Sequence, residues 1–145
     1  MLTTSIVLHV LAATVWTGGH LALVFMFLIP AIKSKKTIEL LDFEDKYEPI
    51  GMPALLILVI TGIYQSYIFI PDLSKWFDFS NHYSSHFSAK IIMVLMIVAL
   101  ALDMKLRVMK QKEINLFCFS WHVFVVTILS VLLVIVGLSF RLNIF

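Results

Sequence analysis

Cysteine is all but absent. The single residue, Cys118, excludes an intrachain disulfide and every CxxC or zinc-finger arrangement; inside an apolar helix it reads as a small packing residue. Charge is scarce too. Asp, Glu, Lys and Arg make up 14% of the chain, against about 25% in soluble domains. There is no phosphate-cradling loop, no nucleophile–base constellation and no basic surface suited to nucleic acid. Linkers, low-complexity runs and a convincing internal repeat are also missing, and 145 residues suffice for one domain, 1–145.

What is present is apolar: 61% of the residues, at a mean hydropathy of +0.99. The excess sits in four blocks, residues 3–32, 50–70, 87–104 and 116–140. A helix needs about 20 apolar residues to cross the hydrocarbon core, and these blocks are apolar all round rather than on one stripe. The expected fold is all-α, an integral membrane four-helix bundle. The first block is too long for a secretory h-region and lacks a basic n-region and a small-residue cleavage site, so it is not expected to be a removable signal peptide.

Charge sets the expected topology. Lys33, Lys35, Lys36 and Lys46 fall between helices 1 and 2, and Lys105, Arg107, Lys110 and Lys112 between helices 3 and 4. The opposite side has only Lys75 and Arg141. Basic residues stay cytoplasmic, so both termini are expected outside, as in a multi-pass protein of the bacterial inner membrane with the lipid bilayer as its solvent. The segment between helices 2 and 3 carries Trp76, Phe77, Phe79 and Tyr83, which suit the outer membrane interface.

Histidine placement points to function. His9 and His20 are eleven residues apart on helix 1: three turns plus about 20°, and a rise of about 16 Å. They share one face at two depths. His86 opens helix 3 on the outside, and His122 lies one to two turns into helix 4 from the inside. The expected pairs are His9 with His86 in an outer layer and His20 with His122 in an inner one. Ionisable residues in membrane helices face the bundle interior and find partners, and bundle cores are where facing side chains build cofactor sites. Two histidines across a bundle suit the axial positions of heme iron. Gly18, Gly19, Gly62 and Gly137 either make room for a macrocycle or let helices pack closely. Lys90, one turn after His86, and Arg141 are candidates to pair with cofactor carboxylates in the outer layer, Lys105 and Arg107 in the inner. The same histidines also serve a copper reading, since thioethers suit copper(I): Met93 and Met96 share a face of helix 3, with Met104, Met26 and Met52 elsewhere. Simple hydrogen bonding or packing is the alternative for each. His82 reads as a solvated loop residue, or with His86 as a surface copper or zinc site. Asp103 and Arg107 have the spacing of a helix-surface ion pair.

The stretches "LHVLAATVWTGGHLAL", "FEDKYEPIGMPALLILVITGIYQSY", "HFSAKIIMVLMIVALALDMKLR" and "WHVFVVTILSVLLVIVGLSFR" together resemble the small CopD-like membrane proteins over nearly the whole chain. Gly62, Lys90 and the basic end of helix 3 carry the likeness to the CopD domain. The first helix and the Lys90 region are more weakly similar to HemJ-type protoporphyrinogen oxidases. The first resemblance implies copper uptake or tolerance, the second porphyrin chemistry.

Three functions are therefore expected, in this order. The first is a b-type, di-heme cytochrome that moves electrons across the membrane, with a quinol, a periplasmic redox protein or a small oxidant as partner; that would make the chain a membrane oxidoreductase or electron carrier. The second is a copper-binding or copper-transport protein. The third is a structural subunit of a larger membrane complex. Oligomeric state stays open.

Overall fold

The computed structural model describes residues 1–80 and 84–139 in full, and the helical backbone alone at 82–83 and 140–142. Four helices are long and apolar enough to cross a membrane: α1 (Leu2–Ser34), α2 (Ile38–Phe69), α3 (Ser84–Val108) and α4 (Leu116–Ser139). No strand occurs among the described residues. Large apolar side chains such as Leu11, Phe25, Ile60, Leu95 and Ile128 lie on the outside. Water would not tolerate so continuous an apolar surface; lipid does. The four spans bring the start of α1 and the far end of α4 to one side, here the terminal end, and put most of the lysines on the other, the lysine-rich end.

The helices extend past the apolar blocks. The largest difference is α2, which begins at Ile38 rather than at residue 50. The segment holding Glu39, Asp42, Glu44, Asp45, Lys46 and Glu48 is thus helix rather than loop. Reading span limits from hydropathy stops at the first charges, whereas a helix continues while its backbone bonds are made. Pro49 and Pro53 sit within it. Each lacks the N–H that would bond the carbonyl four residues back, which leaves those of Asp45 and Pro49 without that donor. The turn between α1 and α2 is short. Lys35 ends α1 in the left-handed region, at φ 57° and ψ 18°.

Two stretches wind more widely, Leu23–Leu28 in α1 and Met104–Val108 in α3. The Met109 N–H reaches the Met104 carbonyl five residues back at 2.9 Å. Both lie toward the lysine-rich end. Such π turns interrupt the regular ladder and often mark functional positions.

Packing is uneven around the bundle. α1 runs closely along α2 and also touches α4, which packs on α3, while α2 and α3 scarcely meet. Toward the lysine-rich end the core is Leu23, Leu28, Leu40, Met104, Val108 and Phe119. Nearer mid-membrane it is Trp16, Leu55, Ile97 and Val126. Trp16 also donates from Nε1 to Ser130 Oγ at 3.0 Å, which ties α1 to α4 within this layer. At the terminal end a 3-10 turn, Leu73–Phe77, closes over α3: Trp76 Nε1 donates to the Ile70 carbonyl, and the buried Ser88 hydroxyl meets the Trp76 carbonyl at 2.8 Å.

Candidate functional site

Toward the terminal end, His9 of α1 faces α2. Its Nδ1 lies 2.7 Å from Thr61 Oγ1. The Thr61 hydroxyl spends its one hydrogen on the Ile57 carbonyl at 2.6 Å, so it accepts from His9. The ring is thereby held with its proton on Nδ1 and a lone pair on Nε2. Gly62 is the neighbour on α2; a Cβ there would sit 3.6 Å from His9 Cε1, an ordinary contact. Gln65 Nε2 donates to the carbonyl and hydroxyl of Ser5, both at 3.3 Å. His86 lies half-buried at the start of α3, and it and Lys90 both have interaction partners. The side chains of Arg141 and His82 fall outside the described residues.

His20 is buried deeper along α1. Its Nδ1 donates to the Trp16 carbonyl at 2.9 Å, which leaves Nε2 with a lone pair, as in His9. A hydrogen bond that fixes the second ring nitrogen is what metal-ligating histidines commonly show. Trp16 lies beside the ring, centroids 4.3 Å apart, and Tyr47 of α2 meets it edge-on at 5.7 Å. The Tyr47 hydroxyl is 3.0 Å from the Trp16 carbonyl and 3.2 Å from that of Val15.

The expected room beside Gly19 is taken by Tyr47. A Cβ on Gly19 would come within 2.1 Å of the ring, and one on Gly51 within 2.8 Å. Gly18 and Gly137 have nothing within 4 Å and face outward. These glycines therefore admit a tyrosine or look onto open space rather than shape a slot for a macrocycle.

His122 of α4 is buried, and both its nitrogens are in use. Nδ1 donates to the Cys118 carbonyl at 2.8 Å, and Nε2 is 2.6 Å from Asp103 Oδ2 on α3. With Nδ1 already a donor, the short Nε2–Oδ2 contact holds a further proton, on the ring or on the carboxyl. Asp103 also takes a two-pronged bond from Arg107, at 2.7 Å in each arm. The Asp103–Arg107 pair expected on the helix surface is thus present, and it holds a buried histidine as well.

His20 and His122, the expected inner pair, both line one cavity of about 60 Å³, but the His122 Nε2 is held by Asp103. The lining also includes Glu44, Glu48, Met52, Met104, Lys105 and Met109. Lys105 bridges to Glu48 at 2.6 Å across the α2–α3 gap. Glu44 Oε2 is buried and has no hydrogen-bond partner among the described residues. Tyr47, Glu44 and Glu48 lie before the apolar block 50–70, where hydropathy alone places no helix. Their signal was available: 44, 47, 48, 51 and 52 follow the i, i+3, i+4, i+7, i+8 spacing of one helix face.

The inner layer does not fit a bis-histidine heme in this arrangement. The cavity has room for about two waters or an ion, and Asp103 occupies the His122 nitrogen an iron would need. Among the described residues, no three His, Cys, Asp or Glu side chains form a metal-holding group. A cation here would depend on the methionines as well. Met93 and Met96, which share a face of α3, do not line the cavity, and Met96 and Met26 are 46% and 66% exposed; Met52, Met104 and Met109 line it instead. No protein-family model, curated protein or solved structure matches this chain.

Proposed function

We propose that this chain is a copper-binding protein of the bacterial inner membrane, in which the inner cavity takes a single Cu(I) ion. The observation that carries this reading is one shared cavity lined by His20, whose Nδ1 is tied to Trp16, and by Met52, Met104 and Met109. Thioethers and imidazole select soft Cu(I) over the harder cations. The small volume suits an ion. The lysine-rich end faces the cytoplasm by the positive-inside rule, which puts the cavity in the cytoplasmic half and His9 with Lys90 in the outer half. The CopD-like resemblance of the sequence agrees with copper handling.

The test is a titration of purified protein against a chromophoric Cu(I) chelator under ascorbate. One ion per chain is expected to be retained. His20→Ala and Met104→Leu should each weaken retention by about tenfold or more, and the outward-facing Met96→Leu should leave it unchanged. Failure of the parent protein to hold Cu(I) against the chelator overturns the reading.

A second reading, the di-heme cytochrome with a quinol or periplasmic redox partner, is favoured by one observation: His9 and His20 keep the same tautomer at two depths. It requires α2 and α3 to part and His122 to release Asp103. A reduced-minus-oxidised spectrum of the purified protein tests it.

A further inference from the structure

Resting on the copper reading, we infer that Glu44 supplies the counter-charge of the inner site, and that the ion reaches it from the lysine-rich end through the gap between α2 and α3, past the Glu48–Lys105 ion pair. The charges around the cavity isolate Glu44. On α3, Lys105 is matched to Glu48 of α2 at 2.6 Å. On α4, His122 is matched to Asp103, which is also held by Arg107. On α1, His20 donates to a backbone carbonyl. Glu44 alone among the carboxylates lining the cavity has no ion-pair or hydrogen-bond partner among the described residues, and its Oε2 is out of reach of solvent. A carboxyl buried in a membrane bundle without a partner is least costly when it keeps its proton. A monovalent cation in the adjoining 60 Å³ would take the place of that proton and leave Glu44 as its counter-charge.

The route follows from packing. Toward mid-membrane the cavity is stopped by Trp16 and Val126, with Leu55 and Ile97 in the same cluster. The α1–α2, α1–α4 and α3–α4 seams are packed; α2 and α3 scarcely touch. Across that seam runs the Glu48–Lys105 pair, with side chains 34% and 50% exposed. Both residues also line the cavity. With both side chains partly exposed, this pair holds the seam weakly. A cation passing it meets Glu48 first, then Glu44.

Two measurements on the full-length protein in detergent test this, with Cu(I) under ascorbate as the probe. In the first, Glu44→Gln keeps the shape and removes the charge. It should lower Cu(I) affinity by about tenfold or more while the melting temperature of the copper-free protein holds or rises. Glu44→Asp, which keeps the charge, should retain more of the affinity than Gln and covers the case in which Gln does not fold. In the second, Glu48→Cys with Lys105→Cys, in a Cys118→Ser background, is tethered by a short bismaleimide and compared with the same variant whose two thiols are capped separately by N-ethylmaleimide. Tethering should slow Cu(I) release to the chelator by about tenfold or more relative to that capped control. Parent-like affinity in Glu44→Gln, or release from the tethered protein as fast as from the capped control, overturns the inference while the copper reading stands. No binding in the parent protein overturns both.

Discussion

His20 and Tyr47 share one acceptor: the Trp16 carbonyl takes the His20 Nδ1 proton at 2.9 Å and the Tyr47 hydroxyl at 3.0 Å, while the two rings meet edge-on. The Tyr47 hydroxyl is also 3.2 Å from the Val15 carbonyl, so it bridges two carbonyls of α1 beside the His20 ring. The tyrosine of α2 thus fixes the place of the histidine of α1, and the glycines on either side of its ring make this approach feasible.

The first prediction concerns those glycines. Gly19→Ala should drive a methyl into the Tyr47 ring, where the nearest atom would be 2.1 Å away. Overpacking of this kind costs about 1–3 kcal/mol. Gly18→Ala, with nothing within 4 Å, should be neutral and serves as the control. Thermal unfolding in detergent reads the difference. Equal melting temperatures for the two variants would show that Tyr47 does not occupy this position.

A second prediction follows from the α3–α4 link. Asp103→Asn and His122→Gln each break the 2.6 Å contact, and the double variant should cost less than the sum of the two. Residues in direct contact show coupling of about 0.5–3 kcal/mol. A double-mutant cycle on unfolding free energy measures it. Strict additivity would mean that the pair contributes nothing beyond its separate parts.

Much of this architecture is legible in the sequence, for a definite reason. Lipid demands uninterrupted apolar helices, so the four spans announce themselves by composition alone. The depth of a histidine follows from its residue count along a span, which is why His20 and His122 were expected at one level and line one cavity. What composition does not carry is the direction of a side chain at a given depth. Met96 and Met104 look equivalent by type, yet one faces outward and the other lines the cavity. Nor does an apolar window register a helix that continues into charged residues. Glu44, Tyr47 and Glu48 lay beyond the hydrophobic edge of α2, and reading them needed helical spacing rather than hydropathy. The partner of His122 was hidden for another reason: Asp103 is 19 residues away, on a different helix, and nothing local signals the contact.

A third prediction concerns pH at the terminal end. Asp72 and Asp78 are exposed, and hydrogen bonds from the hydroxyls and amides of Ser74 and Ser80 hold their carboxyls below the ordinary carboxylate range. Their stabilising effect is therefore present above the unfolded-state value, about pH 4, and is lost as pH falls through the lower folded-state value. Hydrogen exchange at the Ser74 and Ser80 amides, corrected for the intrinsic pH dependence, should lose protection over that acid window. Asp72→Asn should remove the pH dependence at Ser74. Unchanged protection through the window would show that these carboxylates do not cap the connection.

The last prediction separates the two cofactor readings. A bis-histidine heme is six-coordinate and gives sharp low-spin bands that change on reduction. In the inner layer it would need a slot far larger than 60 Å³ and a His122 nitrogen that Asp103 already holds. Purified protein is therefore expected to be nearly colourless when loaded with Cu(I) and to give no pyridine-hemochrome signal. Asp103→Asn sharpens the comparison. Under the copper reading, His122 is no ligand, and weakening its hold leaves one Cu(I) per chain bound. Under the heme reading, freeing that nitrogen should raise heme uptake on reconstitution. A low-spin heme spectrum that grows in Asp103→Asn and disappears in His122→Ala would overturn the copper assignment and make the inner pair an iron site.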